Sequence, residues 1–155
     1  MNGLIYTGIL IATFLCMEGV TWCTHKYIMH GLLWNLHADH HRPGRHFFQK
    51  NDAFFLIFAI PSFLSILTGT LDHRYWLQAA GFGIMAYGFA YFLVHDVIIH
   101  RRFKWLSRWN NRYIRSIRIA HKMHHKHLDK VDGEAFGLLF VHRRYRKKSN
   151  ANAIP

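Results

Sequence analysis

Residues 25–41 read His-Lys-Tyr-Ile-Met-His-Gly-Leu-Leu-Trp-Asn-Leu-His-Ala-Asp-His-His, directly after a long apolar run. An HxxxxH pattern is followed there by an HxxHH pattern, and the same two patterns return in the same order after residue 94. This repetition predicts a scaffold that brings two matched histidine sets together around metal. The ten histidines of the four patterns are His25, His30, His37, His40, His41, His95, His100, His121, His124 and His125.

Apolar and basic residues occupy different segments of the chain. Of the 155 residues 51% are hydrophobic, yet the formal net charge is +12. A chain of this length is expected to form one domain, residues 1–155. Strong basicity is compatible with nucleic-acid binding, but the apolar runs are too long for a soluble basic domain. We therefore expect an all-α integral membrane protein that binds no nucleic acid.

Three apolar runs, at about 3–24, 53–71 and 76–94, have the length of membrane-spanning helices. Of the 20 Lys and Arg residues, Arg74 alone falls on the side of the N-terminus and of the 72–75 turn. The excess of positive charge places the other side in the cytoplasm. All four histidine patterns fall on that side, at or just beyond the ends of the spans. We expect the metal site to face the cytoplasm.

The rest of the chain is basic and aromatic. Residues 103–120 mix aromatic, aliphatic and Arg residues, which predicts an interfacial amphipathic helix rather than a fourth span. Residues 143–155 begin with a basic run, Arg143-Arg-Tyr-Arg-Lys-Lys148, and are expected to form a solvated or headgroup-binding tail.

Helical geometry suggests how the histidines divide. Side chains at i and i+4 lie about 40° apart on a helix, whereas consecutive side chains diverge by about 100°. One HxxHH turn therefore presents two imidazoles one way and one another way, which suits two metals. The HxxxxH pairs lie about 140° apart on an ideal helix and need a helix end, a π-bulge or two different metals. The spacing alone leaves these three open, and imidazole alone does not name the metal.

Three carboxylates and four other histidines complete the set of candidates. Asp39 and Asp96 stand beside motif histidines and are expected to accept hydrogen bonds from the ring N–H groups of the ligands. Glu18 is predicted to lie on the face of His25 but deeper in the membrane, where an ionisable group indicates either function or polar packing. No role is assigned to the remaining histidines, which are His46, His73, His127 and His142.

The order HxxxxH, HxxHH, HxxxxH, HxxHH resembles the fatty acid hydroxylase superfamily of membrane di-iron oxygenases. The stretches His25-Lys-Tyr-Ile-Met-His-Gly31, His95-Asp-Val-Ile-Ile-His-Arg-Arg102 and Glu134-Ala-Phe-Gly-Leu-Leu-Phe140 are similar to those of its bacterial β-carotene 3-hydroxylases. The resemblance implies that all ten histidines bind two irons, a site that zinc could occupy in a purified sample. It implies an O₂-dependent monooxygenase of the bacterial inner membrane that converts β-carotene to β-cryptoxanthin and then zeaxanthin.

The resemblance also implies a ferredoxin-type electron donor, and the chain carries neither a dinucleotide-binding motif nor a cysteine-rich cluster site of its own. A carotenoid substrate dissolves in the bilayer, so it must approach the metals from within lipid. The helix faces around Trp22, Phe89, Tyr91 and Phe92 are expected to line that route. The rivals are a lipid hydroxylase or desaturase, a carotenoid ketolase, a bis-His haem electron carrier and a zinc-storage or transport protein.

Overall fold

Three long helices dominate the computed structural model, which describes residues 2–42, 47–106, 108–127 and 134–146. Helix α1 (Asn2–Cys23) continues as a π-helix (Thr24–Leu32), and a short α2 (Trp34–His37) follows. A 3₁₀ turn (Lys50–Phe54) leads into α3 (Phe55–Leu71). Helix α4 (Tyr75–Tyr91) continues as a second π-helix (Phe92–Ile99), and α5 spans Arg112–His124. The described residues contain no strand, so the all-α prediction is confirmed.

The three predicted spans are also confirmed. Asn2–Leu32, Lys50–Leu71 and Tyr75–Ile99 are each long and apolar enough to cross a membrane. Helix α4 packs against both α1 and α3. The two π-helices, α2, the 3₁₀ turn and α5 all lie at one end of this bundle, and so do the ten motif histidines.

Both HxxxxH patterns lie on π-helical backbone. The N–H of Leu33 bonds to the carbonyl of Ile28 at 2.7 Å, and the N–H of His100 to the carbonyl of His95 at 2.9 Å. These i→i−5 bonds define the π-helix and stack residues five apart above one another. The structure thus selects the π-helix among the three arrangements that the spacing left open.

Glycines let the spanning helices approach closely. A Cβ on Gly83 would lie 2.7 Å from both the carbonyl oxygen of Leu10 and Cβ of Thr13, and one on Gly81 would lie 2.9 Å from the carbonyl of Ser62. Ser62 in turn donates a hydrogen bond to the carbonyl of Gly81 at 2.9 Å. Small residues at these positions allow backbone-to-backbone packing, as in other membrane helices.

The amphipathic helix begins later than predicted. Residues 103–106 and 108–111 form bends and turns, and α5 begins only at Arg112. Asn111 caps it, because its side-chain oxygen accepts a hydrogen bond from the N–H of Ile114 at 2.9 Å. The predicted range 103–120 was therefore wrong at both ends. The apolar face of α5 packs inside the protein, where Ile117 and Ala120 are buried.

The C-terminal segment, residues 134–146, packs onto α5 and α1. Val141 and Tyr145 contact the apolar face of α5, and Tyr145 is only 2% exposed. Arg144 and Tyr145 both bond to the carboxylate of Glu134. At the start of the predicted solvated tail Tyr145 is therefore packed against the protein, whereas Arg143, Arg144 and Arg146 are exposed as predicted. Residues 147–155 lie outside the described residues.

Glu18 fixes this segment to the membrane helices. One carboxylate oxygen accepts hydrogen bonds from the backbone N–H groups of Leu138, Leu139 and Phe140 at 2.8, 2.8 and 3.0 Å, and the other accepts from the hydroxyl of Tyr87 at 2.6 Å. A buried carboxylate is costly unless its oxygens are satisfied by such donors. Glu18 thus joins α1, α4 and the C-terminal segment.

The substitution Gly83→Ala is expected to destabilise the protein by about 1–3 kcal/mol, because the new methyl group overlaps α1 and forces the two helices apart. Gly88→Ala is the matched control, because nothing lies within 4 Å of a Cβ there. Thermal unfolding in detergent micelles measures the difference. Equal midpoints for the two variants would contradict the packing described here.

Candidate metal centre

The ten motif histidines converge in two adjacent groups. Each histidine of a group offers one ring nitrogen, and within each group these nitrogens all lie within 4.8 Å of one another. The groups are contiguous, since the ring centroids of His37 in the first and His40 in the second are 5.4 Å apart. The first group is His25, His30, His37, His41 and His124, and the second is His40, His95, His100 and His121. His125 falls outside both by this distance, but its Nε2 lies 2.9 Å from that of His121.

Each HxxHH turn contributes to both groups. His37 and His41 enter the first group while His40 enters the second. In the later pattern His121 and its neighbour His125 face the second group and His124 faces the first. This is the two-and-one division that helical geometry predicts. Both groups therefore combine histidines from distant parts of the chain.

Five of the rings donate their Nδ1–H outward to oxygen acceptors. His25 bonds to the carbonyl of Phe136 at 3.0 Å and His124 to that of Glu134 at 3.1 Å. The other three acceptors are side chains: Asn51 for His37 at 2.6 Å, Gln49 for His40 at 3.0 Å, and Asp96 for His95 at 3.3 Å. Because carbonyl, amide and carboxylate oxygens only accept, these five rings carry the proton on Nδ1 and a lone pair on Nε2.

The inward nitrogens fit a cation. Nε2 of His25 lies 3.1 Å from Nε2 of His37, although both atoms carry lone pairs. Nε2 of His40 is buried with no hydrogen-bond partner in the described part of the chain. Lone pairs this close repel one another unless a positive ion lies between them. Two imidazole nitrogens bonded to the same ion at about 2.0–2.1 Å, the bond length found for zinc, lie about 3 Å apart when the angle between the two bonds is about 90°. The residues present therefore fit a metal site.

Burial lowers the pKa values of the motif histidines His37, His100, His121 and His125, so these rings are neutral at physiological pH. It lowers the pKa of His37 to about 3, although the hydrogen bond to Asn51 opposes the shift. Burial and the neighbouring His95 lower the pKa of His125 to about 4. The pKa values of His100 and His121 lie far below the usual range for the same reasons. Neutral imidazole is the form that binds metal.

Residues 47–52 and Arg102 form a brace around the histidines. Asn51 and Gln49 hold one histidine of each group, and the Asp52 carboxylate accepts from the backbone N–H of Gln49 at 3.0 Å. The guanidinium of Arg102 bonds to Asp52 at 2.8 Å and to Asp96, the acceptor of His95, at 2.7 Å. Arg102 also donates to the carbonyl of Phe47. The brace therefore couples the start of α3 to the end of the second π-helix.

Aromatic side chains cover both groups. The ring of Phe136 lies 5.2–5.6 Å from those of His25, His30 and His124. Trp34 packs on His30 and His41, and Tyr91 stacks on His95 at 4.9 Å. Burial of this kind limits the access of water and lowers the local dielectric constant.

The three predicted carboxylates have different environments. Asp96 accepts from His95, as described above. Asp39 instead accepts from the backbone N–H of Lys50 at 2.7 Å, and Glu18 bonds to Tyr87 and to residues 138–140. Sequence reasoning missed Gln49, Asn51 and Arg102, as well as the two backbone carbonyls. For Arg102 the available signal was its place two residues after His100. For Gln49 and Asn51 it was their place just before the second span, on the same side as the histidine patterns.

Of the four histidines outside the patterns, the three that the structure describes do not join the groups. His73 lies exposed in the turn between α3 and α4, and His127 lies 3.8 Å from Glu134. His142 accepts a hydrogen bond from the backbone N–H of Arg144. His46 lies outside the described residues.

The family model described as "Fatty acid hydroxylase" matches residues 10–143. A protein of Pseudescherichia vulneris named "Beta-carotene hydroxylase" is 36% identical over 97% of this chain and 83% of its own length. A protein of the same name from Pantoea ananas is 38% identical over 86% and 75% of the two chains. The chloroplastic "Beta-carotene 3-hydroxylase" of an Oncidium hybrid cultivar is 35% identical over 84% of this chain and 43% of its own length. No solved structure gives a significant match.

The substitution Asn51→Leu is expected to weaken metal binding about 10–100-fold, because the ring of His37 loses the acceptor that fixes its orientation. Asn51→Asp is the matched control, since it keeps an oxygen acceptor at the same place. Metal content per chain after dialysis against a graded series of chelator concentrations measures the difference. Retention of wild-type metal content by the Leu variant would contradict the role given to Asn51.

Proposed function

The chain belongs to the fatty acid hydroxylase family, and on this basis we propose that it is an oxygenase that hydroxylates carotenoid rings. The substrate is an unsubstituted β-ionone ring, hydroxylated at C3, so that β-carotene yields β-cryptoxanthin and then zeaxanthin. The observation that carries the proposal is the similarity to proteins named β-carotene hydroxylase over 97% of this chain. The name of the Oncidium relative supports position 3.

The metals of the proposal are two irons, and their ligands are the ten motif histidines. The first group with its five imidazoles would hold one ion, and the second group with the adjacent His125 would hold the other. When bound, the irons supply O₂ activation and abstraction of an unactivated C–H hydrogen, which side chains alone do not perform. Zinc also accepts imidazole ligands, so a purified sample could carry zinc in its place.

The chain's own residues prepare this site before any metal binds. The carbonyls of Phe136 and Glu134 hold the Nδ1 protons of His25 and His124, so that their Nε2 lone pairs point inward. Phe136, Trp34 and Tyr91 cover the rings and exclude water. A preorganised set of neutral ligands binds an ion without the cost of reorienting each ring.

A bis-His haem carrier does not fit the described geometry. Inward nitrogens such as those of His100 and His121 are 2.8 Å apart, and those of His30 and His124 are 3.2 Å apart. A porphyrin has no room between such pairs. A ketolase and a lipid hydroxylase share the metal core and differ in their product.

We further propose that the site faces the cytoplasm of a bacterial inner membrane and receives electrons from a ferredoxin-type protein. The charge asymmetry of the loops supports the orientation. A surface concavity of about 390 Å³ is lined by His100, His121 and His125 together with Arg101, Arg118 and Lys122. Here two histidines of the second group lie beside three basic side chains, an arrangement that suits an acidic donor.

Product analysis tests the catalytic proposal. Cells that accumulate β-carotene should form β-cryptoxanthin and zeaxanthin when they express this protein. His40→Ala and His124→Ala should abolish both products while the variants still insert in the membrane, because each removes one buried imidazole from a different group. A 4-keto product, or no turnover by the wild type, would reject C3 hydroxylation. Full activity of either variant would reject the ligand assignment.

The double variant Arg101→Glu/Lys122→Glu is expected to raise the KM for reduced ferredoxin about tenfold and to weaken its dependence on ionic strength, since two attractive charges become repulsive. Arg74→Glu, at the opposite end of the bundle, is the charge-matched control. Steady-state kinetics with varied ferredoxin measures both effects. If the double variant has the same KM as the control, ferredoxin binds elsewhere on the protein.

A further inference from the structure

A cavity of about 600 Å³ lies between α1, α5 and the C-terminal segment. Leu15, Gly19 and Trp22 line it from α1, and Ile117 and His121 line it from α5. It is larger than the basic concavity, with which it shares Ile99 and His121, and its other lining residues differ. Nothing in the proposed function so far makes use of it.

The cavity is open at the surface of α1 and of the C-terminal segment, and it ends inside the protein at a histidine. At its mouth Leu15, Trp22 and Phe140 are 52%, 38% and 69% exposed. Its inner wall is buried, with Ile117 only 2% and His121 only 6% exposed. The wall thus includes an imidazole whose Nε2 belongs to the second histidine group.

Phe136 joins the cavity to the first group as well. Its side chain lines the cavity and also packs on the rings of His25, His30 and His124. A ligand in the cavity would therefore contact a side chain that touches one histidine group and an imidazole of the other. The lining also includes charged side chains. Lys26 stands over the rings of Trp22 and Phe136 at 5.0 and 5.8 Å. Glu134 pairs with Arg144, and the carboxylate of Glu18 is occupied by its hydrogen bonds to Tyr87 and to residues 138–140.

We propose that this cavity receives the end ring of the carotenoid, which enters from the bilayer between α1 and the C-terminal segment. The inference rests on the proposed function. The volume falls in the range of about 300–1,000 Å³ that small-molecule pockets occupy. It is suited to one terminal ring, while the polyene chain remains in the lipid beside α1. Leu15 and Trp22 are exposed on α1 at the mouth, so the ring enters from the bilayer beside this helix and meets His121 at the inner wall.

This assignment changes the predicted route of the substrate. Trp22 does line the cavity, as expected from the sequence. Phe89, Tyr91 and Phe92 are not part of its lining, and the ring of Tyr91 stacks on His95 instead. The entrance is therefore on the α1 side of the bundle.

Gly19 offers a direct test, because it lines the cavity and no atom lies within 4 Å of a Cβ built on it. A Cβ therefore fits here without overlap, and we expect a Leu side chain, which extends from the cavity wall, to narrow the cavity. Leu also has a higher helix propensity than Gly, so α1 is not weakened. Gly8→Leu is the matched control, since Gly8 lies in the same helix, equally free of neighbours, and does not line the cavity.

The experiment compares wild type, Gly19→Leu and Gly8→Leu as full-length proteins in membranes of cells that accumulate β-carotene. It measures hydroxylated products, the β-carotene retained by each protein after purification in mild detergent, iron per chain and thermal midpoint. For Gly19→Leu we expect at least about a tenfold loss of product and of retained carotenoid. Iron content and midpoint should equal those of Gly8→Leu, which should keep wild-type turnover.

Each outcome separates the two proposals. If the wild type forms no hydroxylated carotenoid, the proposed function is wrong. If the wild type is active and Gly19→Leu matches Gly8→Leu in product and retained carotenoid, the ring does not occupy this cavity. If Gly19→Leu forms less product but retains as much β-carotene as the wild type, the proposal is also wrong, because a side chain that fills the cavity must weaken carotenoid binding. If Gly19→Leu alone lowers the iron content or the thermal midpoint, the larger side chain does not fit at that position, and the assignment of the cavity is wrong.

Discussion

The structure depends on the convergence of imidazole lone pairs that the protein does not neutralise by itself. The Nδ1–H groups of His25 and His37 donate outward to oxygen atoms of the protein. Their Nε2 atoms therefore carry no hydrogen to donate, and they lie 3.1 Å apart. Such an arrangement is unfavourable without a cation and favourable with one. The π-helices, the brace of residues 47–52 with Arg102, and the C-terminal segment all serve to maintain it.

The two faces of this centre differ in chemistry, and the difference matches the needs of an oxygenase on a lipid-soluble substrate. On one side, Arg101 and Lys122 surround the place where His100 and His125 approach the surface. On the other, a larger cavity reaches from the exposed face of α1 to His121. The two proposed routes, for electrons and for substrate, therefore have different openings and meet at His121. Glu18 maintains the second route, because it holds residues 138–140 through three backbone hydrogen bonds.

The sequence predicted what depends on periodicity. Apolar length located the three spans, and the 100° advance per residue divided His37, His40 and His41 between two groups. The 3.6-residue period could not choose a conformation for the HxxxxH pairs, because π-helical bonding has no distinct sequence pattern. The backbone carbonyls that accept hydrogen bonds from the histidines could not be predicted either. Every residue has a carbonyl, and only the fold brings those of Phe136 and Glu134 to the rings. Glu18 illustrates the same limit: its depth was predictable, but its partners lie about 120 residues away in sequence, on the C-terminal segment.

The central claim is that ten histidines form one centre for two irons. X-ray absorption at the iron edge, combined with metal analysis of protein from iron-replete cells, tests it most directly. The account predicts two irons per chain, each surrounded mainly by imidazole nitrogens and without sulfur or porphyrin ligands. One iron per chain, or a coordination shell of any other kind, would contradict it.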